Sequence, residues 1–182
     1  MILIIDTSTN KSQVILAQDL DHFTLIRETP ERLPLALQEF DINPDIIAVT
    51  SDPGSYTGIR VGKALALGFA ASKNIPIVEI CSLLGFIPPK DGRYLSLIDA
   101  RGGGAYTLMQ ERKGSKVTAL GKPQKTPLEE LPNLLLTCDG IVGPNLERFS
   151  LIRGHECYSD PHMLLDLVKR CRTEQFQYSV SF

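Results

Sequence analysis

The chain has 182 residues, of which 43% are hydrophobic, and its formal net charge is −2. This length is enough for one domain or two small ones with a buried core, and the near-neutral balance gives no support for nucleic-acid binding by the chain alone. The four cysteines form no CxxC pair, which argues against a zinc site or a disulfide framework and favours free thiols in a reducing compartment. No long uninterrupted apolar segment occurs, so we expect a soluble cytoplasmic protein that does not associate with membranes.

Hydrophobic patterning predicts an α/β first half with the order β-β-β-α-β-α-β. The apolar run 2–5 predicts a buried strand that ends at Asp6, and two strands of a meander follow it. A short helix is expected from about residue 33, since Pro34 fits the first turn of a helix. The remaining elements of this half are a strand over 46–50, a helix over 56–72 and a strand over 75–80.

Residues 85–93 are rich in proline and glycine, which indicates a hinge. We therefore divide the chain into an N-terminal lobe, 1–88, and a C-terminal lobe, 89–182. The second lobe starts again with strands, continues with a short helix within 126–135 and ends with an amphipathic helix over 159–171. In each half the first strand ends in an Asp followed by a small polar turn. Two similar α/β halves around a cleft are the architecture of actin-like and sugar-kinase ATPases.

The segment 51–70, SDPGSYTGIRVGKALALGFA, could be a phosphate loop or a capped helix. A Walker A loop needs glycine where this chain has Thr57 and a hydroxyl where it has Ala64, so that interpretation fails. Ser55 is instead a good N-cap for a helix. Small residues recur at every fourth position of this helix, and two of them are glycines that weaken a helix interior by about 1 kcal/mol each. This small-residue row consists of Gly58, Gly62, Ala66 and Ala70.

The small-residue row is explained if another part of the structure comes close to the backbone of this helix. Either the sheet or a second helix would then lie against the row. The helix is apolar nearly all round, which predicts cover on more than one side. One cover is the sheet of its own domain, and the other is another domain, another copy or another protein. A helix buried wholly within its own chain is the alternative.

Two further loops could hold phosphate. Asp6, Thr7 and Ser8 follow the first strand, where a carboxylate could hold metal-bound water and the loop could meet phosphate. Asp99 with Gly102 and Gly103 repeats this arrangement in the second half. The alternatives are an Asx or ST turn for the first loop and a hairpin loop for the second. The three histidines form no HxxxH or HExxH pattern, and no catalytic residue set or metal site follows from the spacing.

Three segments resemble the bacterial TsaB (YeaZ) family in order and spacing: ILIIDTST, DPGSYTGIRVGKALALGFA with IPIVEICSL after it, and LIDARGGGAY. The likeness covers residues 1–110 well and is looser at GIVGPN and DPHMLLDL. It implies an actin-like (ASKHA, ribonuclease H-like) α/β fold of two lobes, with the second lobe abbreviated because the chain stops at QYSVSF. The family's usual histidine near ERLPLAL is missing here.

The resemblance also implies a function. It indicates a non-catalytic accessory subunit for N6-threonylcarbamoyladenosine (t6A) formation at position 37 of tRNA, docked on the catalytic paralogue TsaD. A TsaE-like ATPase joins the assembly, tRNA is reached only through the complex, and a homodimer uses the same surface. No cofactor is required by this chain itself, although ATP or ADP with Mg²⁺ could bind at an interface of the complex. The expected contact residues are Leu33, Leu37, Phe40, Tyr56, Gly58, Ile59, Gly62, Lys63, Ala66 and Ala70.

Two other functions stay open at this point. The first is an active ATPase or small-molecule kinase that uses Asp6 and Asp99 with Mg²⁺. If the chain has lost that activity, its two loops are vestigial phosphate-binding sites. The second is a peptidase, for which the sequence offers no nucleophile or metal set.

Overall fold

A computed structural model describes residues 1–40, 42–149 and 154–174, which form two compact units. Unit 1 comprises residues 1–82 together with those from 161 onward, and unit 2 comprises residues 83–160. The sequence division at 88/89 lies a few residues later, and it assigned the last helix to the second lobe, whereas that helix belongs to unit 1. The segment QYSVSF, on which the expectation of a shortened second lobe depends, lies outside the described residues.

Unit 1 is a five-stranded mixed sheet with three helices. The sheet order is β3-β2-β1-β4-β5, in which β1, β2 and β3 pair antiparallel while β1, β4 and β5 pair parallel. The predicted element order is confirmed. The bounds are β1 Ile2–Asp6, β2 Gln13–Ala17, β3 Phe23–Arg27, α1 Leu33–Leu37, β4 Ile46–Ser51, α2 Tyr56–Lys73 and β5 Ile77–Cys81. The last helix of the chain, α4, spans Pro161–Glu174.

The core of unit 1 lies between the sheet and the helices α1 and α2. Leu3 and Ile5 of β1 and Val49 of β4 are buried in one cluster with Leu33 of α1 and Ala66 of α2. Because side chains alternate along a strand, Ile2 and Ile4 point to the opposite face of the sheet. Every residue of β1 and of β4 is buried, as expected for inner strands covered on both faces.

Both ends of α2 are capped, the first by the residue that the sequence predicts. Ser55 is the N-cap, and its side chain accepts a hydrogen bond from the backbone N–H of Gly58 at 3.3 Å. Asn74 ends the helix in the left-handed conformation, with φ 54° and ψ 48°. None of the helices in the described part of the chain is long and apolar enough to cross a membrane.

Unit 2 is a second mixed sheet with the order β11-β10-β6-β7-β8, and β9 also pairs with β7. Its core contains Leu95, Leu97 and Ala105 of the sheet with Leu131 of α3. The predicted helix within 126–135 is shorter than expected, because its first residues form β9. The bounds are β6 Gly92–Asp99, β7 Gly104–Lys113, β8 Lys116–Ala119, β9 Gln124–Pro127, α3 Leu131–Leu135, β10 Gly140–Gly143 and β11 Gly154–Glu156.

Candidate functional site

The loop after β1 is closed by the carboxylate of Asp6. Oδ1 of this residue accepts hydrogen bonds from the backbone N–H of Ser8 at 3.1 Å, from Ser8 Oγ at 2.7 Å and from Thr50 Oγ1 at 2.8 Å. Asp6 is only 1% exposed. Two hydroxyls and an amide therefore engage this oxygen within unit 1, and the bond to the N–H two residues later is the Asx-turn geometry.

The first turn of α2 lies directly on this loop. The backbone N–H of Ser55 donates to the carbonyl oxygen of Ser8 at 2.7 Å. A Cβ added at Gly54 or at Gly58 would lie closer than 3.0 Å to the carbonyl oxygen of Ser8 or of Thr7, respectively, a separation that real Cβ atoms do not show. The glycines of this segment are thus required because helix backbone meets loop backbone.

The small-residue row of α2 continues along the sheet. A Cβ at Gly62 would lie closer than 3.0 Å to Thr7 Oγ1 and 3.5 Å from Val49 Cγ2. Ala66 is completely buried in the core cluster. The small-residue row therefore packs on its own sheet, and the prediction that it meets another molecule is wrong.

The opposite, outer face of α2 is exposed. Tyr56 is 69% exposed and Leu67 is 61% exposed. Arg60 lies one turn after Tyr56, with its guanidinium carbon 3.7 Å from the centroid of the tyrosine ring. Ala64 and Ala71 complete this face and are also exposed. We call Tyr56, Arg60, Ala64, Leu67 and Ala71 the outer face of α2.

An apolar groove lies between α1 and α2, beside the core. The groove has a volume of about 230 Å³. It is lined by Pro34 and Leu37 of α1, by Gln38 directly after that helix, and by Leu65 and Phe69 of α2. Gln38 supplies the one polar side chain of this lining. The groove can accept an aliphatic or aromatic side chain.

The second predicted phosphate loop joins β6 to β7 in unit 2. Asp99 accepts from the backbone N–H of Arg101 at 2.8 Å and from Arg148 Nη1 at 3.2 Å. Gly102 and Gly103 have φ values of +111° and +86°, which the exposed turn requires. Asp99 pairs with Ala105 across the strands, so this segment is the hairpin loop of the alternative interpretation.

The chain is similar to proteins of tRNA threonylcarbamoyladenosine biosynthesis. The family model described as TsaD, tRNA N6-adenosine threonylcarbamoyltransferase, matches residues 28–134. The tRNA threonylcarbamoyladenosine biosynthesis protein TsaB of Escherichia coli (strain K12) is 32% identical over 147 residues, and that of Bacillus subtilis (strain 168) is 30% identical over 125 residues. The chain belongs to the TsaB (YeaZ) family.

The matches to these TsaB proteins cover 68% and 67% of this chain but only 63% and 51% of the two relatives. Among solved structures, YeaZ from Pseudomonas aeruginosa is similar with a TM-score of 0.73 and 20% identity, over 95% of this chain and 93% of that one. An uncharacterised protein with similarity to peptidase YeaZ, also from Pseudomonas aeruginosa, gives a TM-score of 0.76 and 20% identity, over 100% of this chain and 96% of that one. The predicted α/β, actin-like fold class is confirmed.

With the TsaB family established, the predicted contact residues divide into three groups. Tyr56 and Phe40 have exposed side chains, and Phe40 is 38% exposed. Lys63 forms an ion pair with Glu79 of β5 at 3.0 Å, and Ala70 is partly buried against the core. Leu37 is buried but lines the groove between α1 and α2. The others are buried within unit 1 and cannot meet a partner in this conformation: Leu33, Gly58, Ile59, Gly62 and Ala66.

Three exposed residues, Leu35, Arg60 and Leu67, are not among the contact residues predicted from the sequence. Leu35 is 65% exposed on α1, and Leu67 lies on the outer face of α2. A helical wheel drawn from Tyr56 would have grouped Arg60 and Leu67 on the side opposite the small-residue row. No local signal marks Leu35, because α1 is too short to show a period.

The thiol and carboxylate groups of the chain were also candidates for chemistry or for metal binding. None of the four cysteines forms a disulfide, and all four lie among the described residues. Burial raises the pKa of the Cys157 thiol to about 11, although a backbone bond at Gly143 opposes this shift. Within the described residues, no group of three or more His, Cys, Asp or Glu side chains is arranged to hold a metal ion.

Proposed function

We propose that this chain is an accessory subunit of t6A biosynthesis that docks on a TsaD-like catalytic subunit and is not itself the catalyst. Its contact surface consists of the outer face of α2, the exposed Leu35 of α1 and the apolar groove between the two helices. The names of the TsaB relatives support the pathway, and the exposed side chains of unit 1 support the surface.

The concentration of exposed apolar side chains on two neighbouring helices carries this proposal. Four large apolar side chains among the described residues are more than 60% exposed. Three of them, Leu35, Tyr56 and Leu67, lie on α1 or α2, and the fourth, Leu136, follows α3 in unit 2. Several large exposed apolar side chains on neighbouring helices are typical of interaction sites. Tyrosine and arginine are also the residue types that dominate binding energy at interfaces, which fits the stacked pair Tyr56 and Arg60.

The groove gives this surface a shape. A partner side chain seated between Pro34 and Phe69 would touch apolar atoms on both helices. Leu67 lies two residues after the groove residue Leu65, about 200° around the helix, so it belongs to the outer face and not to the groove. The same surface serves a homodimer, so a second copy and the catalytic subunit compete for it.

A TsaE-like ATPase and tRNA join through the assembly, and ATP or ADP with Mg²⁺ is proposed only at an interface of the complex.

The experiment is co-elution with the TsaD-like subunit of the same source on a sizing column, followed by titration calorimetry. Leu67→Glu places a carboxylate in the proposed contact, and its matched control is Leu136→Glu, at an 86% exposed position of unit 2. Burying an unpaired charge costs at least about 2 kcal/mol, so we expect the first variant to bind at least about 30-fold more weakly. The control should bind like the unsubstituted chain.

Equal affinity of Leu67→Glu and the unsubstituted chain would refute docking through this face. Sedimentation of each variant alone tests the homodimer at the same time, because a dimer through the outer face should dissociate with Leu67→Glu and persist with Leu136→Glu. Binding of ATP with Mg²⁺ to the isolated chain, abolished by Asp6→Ala, would instead support an ATPase or kinase.

A further inference from the structure

A basic segment in unit 2 has no role in the docking surface. From 112 to 128 the sequence contains five basic residues and no acidic one. This segment ends β7 and forms β8, β9 and the turns between them. We call its four lysines, Lys113, Lys116, Lys122 and Lys125, the basic edge.

The strand pairing places these lysines along one side of the sheet. β8 pairs with residues 110–113 of β7, and β9 pairs with residues 104–107 of the same strand. The two short strands therefore lie one after the other along the same edge of β7, which is 10 residues long. Lys125 is registered with position 106 of β7 and Lys116 with position 113, so at about 3.3 Å per residue the basic edge extends along roughly 23 Å of the sheet.

The charges of the basic edge are poorly balanced by the protein. All four lysines are exposed. Lys113 forms an ion pair with Glu111 at 2.7 Å, but none of the ion pairs found among the described residues includes Lys116, Lys122 or Lys125. Lys113 and Lys116 are directly opposite in the strand register, an arrangement that destabilises a sheet. A ligand with several negative charges would offset this repulsion.

Protection of a sheet edge is the other known reason for lysines on outer strands. It accounts for Lys116 and Lys125, which lie on β8 and β9. It does not account for Lys122, which lies between the two strands, where no strand edge needs protection. The continuity of the basic edge across this turn favours an extended anionic partner.

We propose that the basic edge contacts backbone phosphates of the tRNA on which the assembly acts. This inference rests on the proposed function, because that function brings tRNA to the complex. Contacts between lysine and phosphate position RNA without reading its sequence. The near-neutral net charge of the whole chain agrees with a contact that adds to binding by the assembly and is weak in the isolated subunit.

The test compares two charge-matched double variants in the assembled complex. Lys122→Gln with Lys125→Gln removes two charges from the basic edge, and Arg27→Gln with Lys90→Gln removes two exposed charges elsewhere. Binding of an unmodified, transcribed tRNA is measured by fluorescence anisotropy at several salt concentrations. Each phosphate contact contributes about 0.7–0.9 to the slope of log K against log salt, so we expect the first variant to reduce the slope by about 1.4–1.8. Its affinity should fall roughly ten- to hundredfold at about 0.1 M salt, while the control stays unchanged.

Each result has a separate meaning. An assembly that forms and binds tRNA with the same slope for both variants overturns the role of the basic edge and leaves the proposed function intact. Aggregation of the lysine variant with an unchanged slope assigns these lysines to edge protection and also overturns the inference. Failure of the unsubstituted chain to co-elute with the catalytic subunit overturns the proposed function, and the inference with it. Thermal melting of both variants checks that the fold is retained.

Discussion

Replacing Gly58 by Ala tests whether the small-residue row belongs to the inside of unit 1. The new methyl group would lie closer than 3.0 Å to the carbonyl oxygen of Thr7, so the helix or the loop must move. The loop is tied to α2 at the next residue by the bond from Ser55 N–H to the Ser8 carbonyl at 2.7 Å, which restrains this movement. Overpacking of this kind costs about 1–3 kcal/mol, and contact with backbone places it toward the upper end.

The same substitution at Gly68 is the matched control. Gly68 lies in the same helix, and a Cβ there would meet nothing within 4 Å. Alanine is favoured over glycine in a helix by about 1 kcal/mol, so Gly68→Ala should stabilise unit 1 by about 0.5–1 kcal/mol. After the same gain, Gly58→Ala should still destabilise unit 1 by about 1–2 kcal/mol. Urea unfolding followed by circular dichroism measures both changes in the free energy of unfolding.

A Gly58→Ala variant as stable as Gly68→Ala would refute this reasoning, because it would mean that the small-residue row does not pack on the loop. A second pair makes the test more specific. Gly62→Ala conflicts with the hydroxyl of Thr7, and that hydroxyl has no hydrogen-bond partner among the described residues. Adding Thr7→Ala should therefore recover part of the stability that Gly62→Ala loses, which a double-mutant cycle reports as a coupling of about 1 kcal/mol.

Two further predictions concern buried polar groups. Asp6→Ala leaves the hydroxyls of Ser8 and Thr50 without their acceptor and should lower the free energy of unfolding by about 1–3 kcal/mol. Asp6→Asn keeps an acceptor oxygen and should lower it by less. Equal losses for the two variants in urea unfolding would contradict this prediction. Cys157, with a pKa of about 11, should react with iodoacetamide near pH 8 roughly a hundredfold more slowly than a thiol of pKa 9, and its rate should rise with pH up to about 11. Mass spectrometry of the alkylated peptide measures this rate against that of the urea-unfolded chain, and equal rates would refute the prediction.

The sequence predicted the elements of unit 1 because their signals are local. The apolar run before Asp6 is long enough only for a strand, and Ser55 marks the first turn of α2. The end of that helix differs from the prediction by one residue. The association of α4 with unit 1 could not be predicted, since it depends on contacts with β5 far away in the sequence.

The contact surface was harder to predict because the period of a helix does not identify what lies on each side. A row of small residues is required wherever backbone comes close, whether the neighbour is a partner helix or the protein's own loop. Here the neighbour is Thr7, some fifty residues before Gly58 in the chain, and no local pattern links them. The two phosphate-loop hypotheses had the same weakness, because an Asp after a strand can close a turn or hold a metal. The bonds from Ser8 and Thr50 to Asp6 show the turn.

The two faces of α2 make different demands on its sequence, and this explains its nearly uniform apolar composition. The inner face needs residues small enough for the helix to lie on the loop, as at Gly58 and Gly62. The outer face can be polar without any cost to folding, yet it carries Tyr56 and Leu67 with Arg60 as its one charge. Folding therefore accounts for the glycines, whereas the exposed tyrosine and leucine need another reason. Docking supplies that reason, and so substitutions on the inner face should act on stability and substitutions on the outer face on binding.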